Sequence, residues 1–198
     1  MIQFNNISQE TPYTLFKTRY DEAFKAGQKS IEAISISSFN VKKNEVDSRY
    51  VNLKFINVDE FIFFSNYESP KALAFKSHSQ IAALLYWSSI NVQIRMKAQI
   101  KKTSNEYNQK YFYERSEQKN ALAISSKQSR RIDSFEDIKE NYKKSLNNDD
   151  LKMCPENWGG YSFTPYEIEF WEGNKFRLNK RDLYKKEGNI WNHFILEP

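Results

Sequence analysis

The stretch Ile90-Asn91-Val92-Gln93-Ile94-Arg95-Met96-Lys97-Ala98-Gln99-Ile100-Lys101 decides the fold class. Apolar and polar residues alternate without a break. Side chains of a strand point to opposite faces in turn, so Ile90, Val92, Ile94, Met96, Ala98 and Ile100 line one face and Asn91, Gln93, Arg95, Lys97, Gln99 and Lys101 the other. The spacing therefore predicts a long strand with one face in the core and one against water or a ligand. Ile81 to Trp87 is a continuous apolar run and is expected as a strand buried on both faces.

Upstream, Thr11-Pro12 is a cap residue followed by a proline suited to the first helical turn. Leu15, Phe16, Tyr20, Ala23 and Phe24 continue at helical spacing until Gly27. Ile34, Ile36 and Ser38 alternate as a strand, Asn44 to Asp47 form a polar turn, and a second strand runs from Ser48 to Ile56. Glu60 to Asn66 is a short aromatic strand. Ser69-Pro70-Lys71 repeats the cap-then-proline start and opens a helix to about His78.

Further on, Ser104 caps a helix carrying Tyr107, Tyr111 and Phe112. Ser134 with Glu136 and Asp137 opens another, whose stripe is Phe135, Ile138, Tyr142 and Leu146. Asn147 to Glu156 is expected as a loop. Strand-like stretches follow at Tyr166–Trp171, Phe176–Tyr184 and Ile190–Leu196, with a hairpin signal at Glu187-Gly188-Asn189. The total is about seven strands with three or four inserted helices. This is a mainly β, α+β chain whose short connections favour antiparallel pairing. A closed or partly closed barrel hides the sheet edges economically.

Composition narrows the class. The 198 residues suit one full-sized core, with 39% hydrophobic and 28% charged residues. Net charge is +5, but the basic pairs are short and interleaved with acids, which disfavours nucleic acid as a partner. The single cysteine, Cys154, allows no internal disulfide, and two distant histidines leave no metal-site spacing. Met1 to Glu10 lacks the basic start and apolar core of a secretory leader, and no apolar run reaches membrane length. A cytoplasmic protein without a membrane partner is the expectation.

No glycine-rich phosphate loop and no serine elbow occurs, so a phosphorylated ligand would be held by side chains and helix ends. Five constellations can do so. The helix start at Ser69-Pro70-Lys71 offers unpaired N–H groups and a cation. Arg49 and Lys54 share a strand but, on a regular strand, lie on opposite faces. Gln93 is a polar residue beside Arg95. Lys127-Gln128-Ser129-Arg130-Arg131 combines an amide, a hydroxyl and two guanidiniums. Arg177, Asn179 and Arg181, at strand spacing, share one face after Trp171. Alone, each is equally a solvated surface; together they support anion binding.

The order of these segments resembles the pyridoxine/pyridoxamine 5′-phosphate oxidase family. The segments that carry the likeness are SRYVNLK (Ser48–Lys54), FFSNYESPK (Phe63–Lys71), INVQIRMKA (Ile90–Ala98), YFYERS (Tyr111–Ser116), SKQS (Ser126–Ser129), WGGY (Trp158–Tyr161) and IEFWEGNKFRLNKR (Ile168–Arg181). The resemblance covers roughly residues 30 to 198. It implies a Greek-key-like split β-barrel over residues 1–198, homodimeric, with 155–198 as the dimerisation and active-site segment. It implies FMN held between subunits by Arg49, Lys54, Phe64, Ser65, Lys71, Gln93, Gln128, Ser129, Trp171 and Arg181. A small phosphorylated pyridine substrate would meet Lys54, Tyr111, Arg115 and Arg177, with Arg177 and Asn179 at the reacting end.

The departures gather on the substrate side. Pro70 replaces a basic residue, and Val92 stands where the family has arginine before Gln93. Arg115-Ser116-Glu117-Gln118-Lys119 carries Lys119 in place of a serine. Asn179 replaces a histidine and cannot titrate near neutrality. The family's basic N-terminal segment is not recognisable in Met1 to Glu10. Three readings follow in order: a divergent oxidase of this family, a related FMN oxidoreductase for another small heterocycle, and a non-catalytic flavin- or pyridoxal-phosphate-binding protein.

Overall fold

A computed structural model describes residues 1–198. The elements in chain order are β1 (Gln3–Asn5), α1 (Thr11–Lys25), β2 (Ala33–Asn40), β3 (Glu45–Asn57), β4 (Glu60–Asn66), α2 (Pro70–Ser77) and β5 (Gln80–Trp87). There follow β6 (Val92–Lys102), α3 (Asn105–Glu114), α4 (Glu117–Ser125), α5 (Phe135–Asn148), β7 (Trp158–Glu172), β8 (Lys180–Glu187) and β9 (Ile190–Ile195).

The strands close on themselves. β3 pairs β2, β2 pairs β5, β5 pairs β6, β6 pairs β7, β7 pairs β4, and β4 returns to β3, all antiparallel. That circuit is a six-stranded barrel, and closure removes the free edges an open sheet would expose. β8 and β9 extend outward from β7, and β1 adds in parallel to β3. The long alternating strand appears as β6, with Val92, Ile94, Met96, Ala98 and Ile100 buried, but it starts at Val92, because Ile90 and Asn91, the latter at φ 51°, form the turn after β5. Ile34 and Ile36 from β2, Phe61 and Phe63 from β4, and Phe163 from β7 join them in one core. Each such side chain contributes about 1.5–3 kcal/mol by leaving water.

The first helix places Tyr13, Phe16, Tyr20 and Ala23 on this core. Phe16 meets Phe61 at 5.1 Å and Trp87 at 5.5 Å, both edge-to-face. Its cap is Glu10 rather than Thr11, which lies inside the helix. Ser69 is the cap residue of α2, but its hydroxyl donates to the Asn66 carbonyl and accepts no backbone N–H of the helix. Ser104 and Ser134 do cap their helices, the latter with Asp137 in a reciprocal capping box.

Four expectations are corrected. β5 is not buried on both faces: Ile81, Ala83, Leu85 and Trp87 face inward, whereas Leu84 and Tyr86 are exposed. Hydrophobicity alone could not separate the two faces, because both are apolar. There are nine strands and five helices, because β1 and α4 add to the elements that periodicity predicts. β7 begins at Trp158, well before Tyr166, because Trp158–Phe163 pairs with β4. Phe176 to Asn179 is loop, and β8 starts only at Lys180.

The paired glycines before Tyr161 have a steric reason. A Cβ on Gly159 would overlap the Tyr67 hydroxyl and the Asn108 amide, and one on Gly160 would press on Thr103. Those groups are fixed: Asn108 accepts from the Gly160 N–H at 2.8 Å, and the Tyr67 hydroxyl donates to the Gly160 carbonyl at 3.0 Å. The glycines let α3 and the loop after β4 lie directly on the backbone of β7, whose first residue, Trp158, lines a cavity.

Candidate active site

Over Glu45–Asn52, β3 pairs with β2; the pairing with β4 begins only at Leu53 and carries a bulge between Leu53 and Phe55. This split in the barrel wall opens a cavity of about 800 Å³, within the usual range for ligand sites. The bulge and the open edge bring Arg49 and Lys54 to the same cavity. The regular-strand expectation that they could not share a task is thereby corrected.

One end of the cavity is built for an anion. Lys71, from the first turn of α2, is buried, and its Nζ donates to Ser69 Oγ at 3.2 Å and to Gln128 Oε1 at 3.4 Å. Gln128 Oε1 also accepts from Ser65 Oγ at 3.2 Å and the Asn66 N–H at 3.3 Å. Burial and the neighbouring Arg49 push the Lys71 pKa down to about 8, opposed by Asp47. Asp47 itself is ion-paired with Arg49, whose Nη1 donates to Ser38 Oγ at 2.8 Å and the Ile36 carbonyl at 3.1 Å. Lys71 is thus a buried cation with neutral partners only, a costly arrangement that a bound anion relieves. Ser129, held at φ 67°, and Pro70 complete this end.

The other end is aromatic and again cationic. Phe64 stacks with Tyr111 at 3.9 Å and with Trp158 at 5.2 Å between ring centres. The Arg115 guanidinium lies over Trp158 at 4.4 Å. Its Nη2 donates to the Lys119 carbonyl at 3.4 Å, while its Nη1 is buried without a partner. Burial lowers the Arg115 pKa from its ordinary value and raises that of the Tyr111 hydroxyl. Lys119 and Glu114 line the same end. The sequence reading did not assign Trp158, Asp47 or Glu114 to the site. The WGGY run was the only available signal for Trp158, because its aromatic partners come from β4 and α3.

The remaining expected site residues lie elsewhere. Gln93, Trp171 and Arg181 form one row across three strands: Gln93 faces Trp171 in the β6–β7 register, and Trp171 faces Arg181 in the β7–β8 register. None of them lines the cavity of Lys71 and Arg115. Arg177 and Asn179 do not share a strand face with Arg181. They belong to the loop between β7 and β8, where Arg177 has φ 63° and Asn179 Oδ1 accepts from the Asn174 N–H at 3.0 Å. The residues assembled by likeness therefore fall into two groups on different surfaces of one chain.

The donor set fits FMN. The Lys71 end offers an ammonium, a guanidinium, two hydroxyls and an amide to a single phosphate, and the split wall leaves room beside it for a flat ring. The fold and the site define an FMN-dependent oxidoreductase of the split-barrel class. A pyridoxine/pyridoxamine 5′-phosphate oxidase from Colwellia psychrerythraea is 33% identical over 194 residues, covering 96% of this chain and 88% of the relative. One from Legionella pneumophila is 33% identical over 198 residues, covering 96% and 89%. The chain belongs to the pyridoxine/pyridoxamine 5′-phosphate oxidase family.

The family model for the "Pyridoxine 5′-phosphate oxidase C-terminal dimerisation region" matches residues 158–198. Among solved structures, PhzG from Burkholderia lata 383, in complex with tetrahydrophenazine-1-carboxylic acid, superposes with a TM-score of 0.90 at 25% identity. It covers 96% of this chain and 93% of that one. A pyridoxamine 5′-phosphate oxidase-related FMN-binding protein from Nostoc punctiforme shares the fold, with a TM-score of 0.76 at 12% identity and coverage of 96% and 99%. No helix is long and apolar enough to cross a membrane.

Proposed function

We propose that the protein oxidises pyridoxamine 5′-phosphate or pyridoxine 5′-phosphate to pyridoxal 5′-phosphate, with O₂ as final acceptor, as a cytoplasmic homodimer. The observation that carries this reading is the second cationic pole of the cavity. Arg115, with an unpartnered buried Nη1, lines the cavity with Lys119 and Tyr111 and shares no hydrogen-bond partner with Lys71. Two poles in one cavity suit two phosphates, one of the cofactor and one of the substrate.

FMN held by these residues would supply a two-electron acceptor for hydride from the substrate C4′ carbon, with O₂ as the final acceptor. The side chains position and desolvate. Lys71, Arg49, Ser65, Gln128 and Ser129 hold the cofactor phosphate, with Phe64 and Lys54 along its length. Arg115, Tyr111 and Lys54 orient the pyridine phosphate. The segment 155–198 of the partner subunit brings Trp171, Arg177, Asn179 and Arg181, and its β6 brings Gln93. Anaerobic addition of pyridoxamine 5′-phosphate to the flavin-loaded protein should bleach the flavin absorbance, with pyridoxal 5′-phosphate formed. An unchanged spectrum rejects the reading.

A second reading has its own support. The superposition on PhzG, with Asn179 engaged in its own loop, favours a larger heterocyclic acid of the tetrahydrophenazine class. Under the first reading Asn179→His raises turnover of pyridoxamine 5′-phosphate. Under the second it does not, and a reduced tricyclic carboxylate bleaches the flavin instead. Tight FMN with no bleaching by either compound would leave the non-catalytic binder.

A further inference from the structure

Two charged side chains are buried in this chain, Lys71 and Glu169. The first belongs to the cavity described above. The second lies on β7, outside that cavity, and the site residues considered so far do not include it.

Both carboxylate oxygens of Glu169 are committed. Oε2 accepts from Arg95 Nη1 at 3.1 Å, and Oε1 accepts from Arg181 Nε at 2.8 Å. Arg95 is its direct register partner on β6. Arg181 is the register partner of Trp171, two residues further along β7, so its stem lies beside Trp171 while its head reaches back to Glu169. Arg181 Nη1 donates to the Glu197 carbonyl at 2.9 Å. The guanidinium is thus fixed along two edges, and Nη2 alone makes no hydrogen bond within the chain.

A buried carboxylate between two guanidiniums holds both more rigidly than exposed ion pairs do, because neither partner can be replaced by water without leaving a buried charge. We propose that Glu169 is a positioning residue that sets Arg181, and with it the free Nη2, for contact with FMN bound in the partner subunit's cavity. Arg95, more exposed than Arg181, balances the second carboxylate oxygen and keeps the head of Glu169 from turning away. The inference rests on the reading that Arg181 touches the cofactor across the dimer.

The test is a double-mutant cycle read by FMN affinity of the apoprotein, measured through quenching of flavin fluorescence. Arg181→Gln should weaken FMN about tenfold, and Glu169→Gln by a similar factor, whereas in the Arg181→Gln background Glu169→Gln should add less than about twofold. Thermal melting of each apoprotein reports folding separately. If Glu169→Gln does not fold, the same cycle with Glu169→Asp decides, since it keeps the charge but withdraws the oxygens. Equal losses from Glu169→Gln in both backgrounds would show a merely structural carboxylate and overturn the inference. An Arg181→Gln variant with unchanged FMN affinity would instead remove the reading beneath it, and the inference with it.

Discussion

Lys71 Nζ lies 3.4 Å from Gln128 Oε1, and the acid that acts on it, Asp47, is already paired with Arg49. These two residues, from the start of α2 and from the loop after α4, make the anion pocket, and the depressed lysine pKa gives it a pH signature. A bound phosphate favours the charged lysine, so FMN affinity should be highest below about pH 8 and fall as pH rises through that value. Titrations of the apoprotein across pH 7 to 10 should show this fall, and Lys71→Met should flatten it. A wild-type affinity independent of pH would deny Lys71 the role.

The same shift acts oppositely on the apoprotein's stability. The folded state holds Lys71 at about 8 and the unfolded chain near 10.5, so between those values the unfolded state binds more protons. Stability should therefore gain from this group as pH rises through that window, and the penalty is complete below it. Urea melts of wild type and Lys71→Met should converge toward high pH. A gap that does not change with pH would contradict the burial of a charged lysine.

Separation of the Lys71 cavity from the Gln93–Trp171–Arg181 row predicts sites shared between subunits. Lys71→Ala and Arg181→Ala should each lose FMN-dependent activity. Refolded together they should regain about a quarter of wild-type activity, because half of randomly formed dimers carry one intact site. Recovery absent in a mixture shown by mass spectrometry to contain heterodimers would place both groups in one subunit's site. Light scattering should give a dimer throughout.

At the second pole, Arg115→Ala should lower kcat/KM for the phosphorylated pyridine by more than about tenfold, or about 1.4 kcal/mol, chiefly through KM. FMN affinity should stay within about threefold of wild type if, as proposed, the donors around Lys71 hold the cofactor phosphate. Equal losses in FMN binding and in KM would mean that the two poles serve a single ligand.

Gly159→Ala should be far more damaging than an average substitution in a strand. The new methyl would collide with Tyr67 and Asn108, which are hydrogen-bonded to the neighbouring backbone. Overpacking of this kind costs about 1–3 kcal/mol, which thermal unfolding would resolve. A melting temperature equal to wild type would show that Tyr67 can move aside.

Periodicity and turn chemistry made much of the architecture legible. β6 follows from alternation alone, α1 from its apolar stripe, and the β8–β9 hairpin from Gly188, which sits at φ 60° in its two-residue loop. α4 escaped because Glu117–Ser125 buries only Asn120 and Ala121 and so has no apolar stripe to read. The two faces of β5 cannot be told apart in the sequence, because Leu84 and Tyr86 are as apolar as their inward neighbours.

The likeness carried by seven short segments pointed to the family and the cofactor, because residue types at a fixed order survive without knowledge of their positions in space. The sequence alone thereby determined the fold class and the FMN cofactor, and it supplied the polar residues proposed to hold it. Only the tertiary structure decided which of them meet. The bulge after Leu53 turned Arg49 and Lys54, apparently on opposite faces, into neighbours on one cavity. The loop before Lys180 took Arg177 and Asn179 off the strand face that their spacing suggested. Contacts such as Lys71 with Gln128, or Arg95 with Glu169, join residues far apart in the chain, and local periodicity carries no record of them because barrel closure alone brings those strands and loops together.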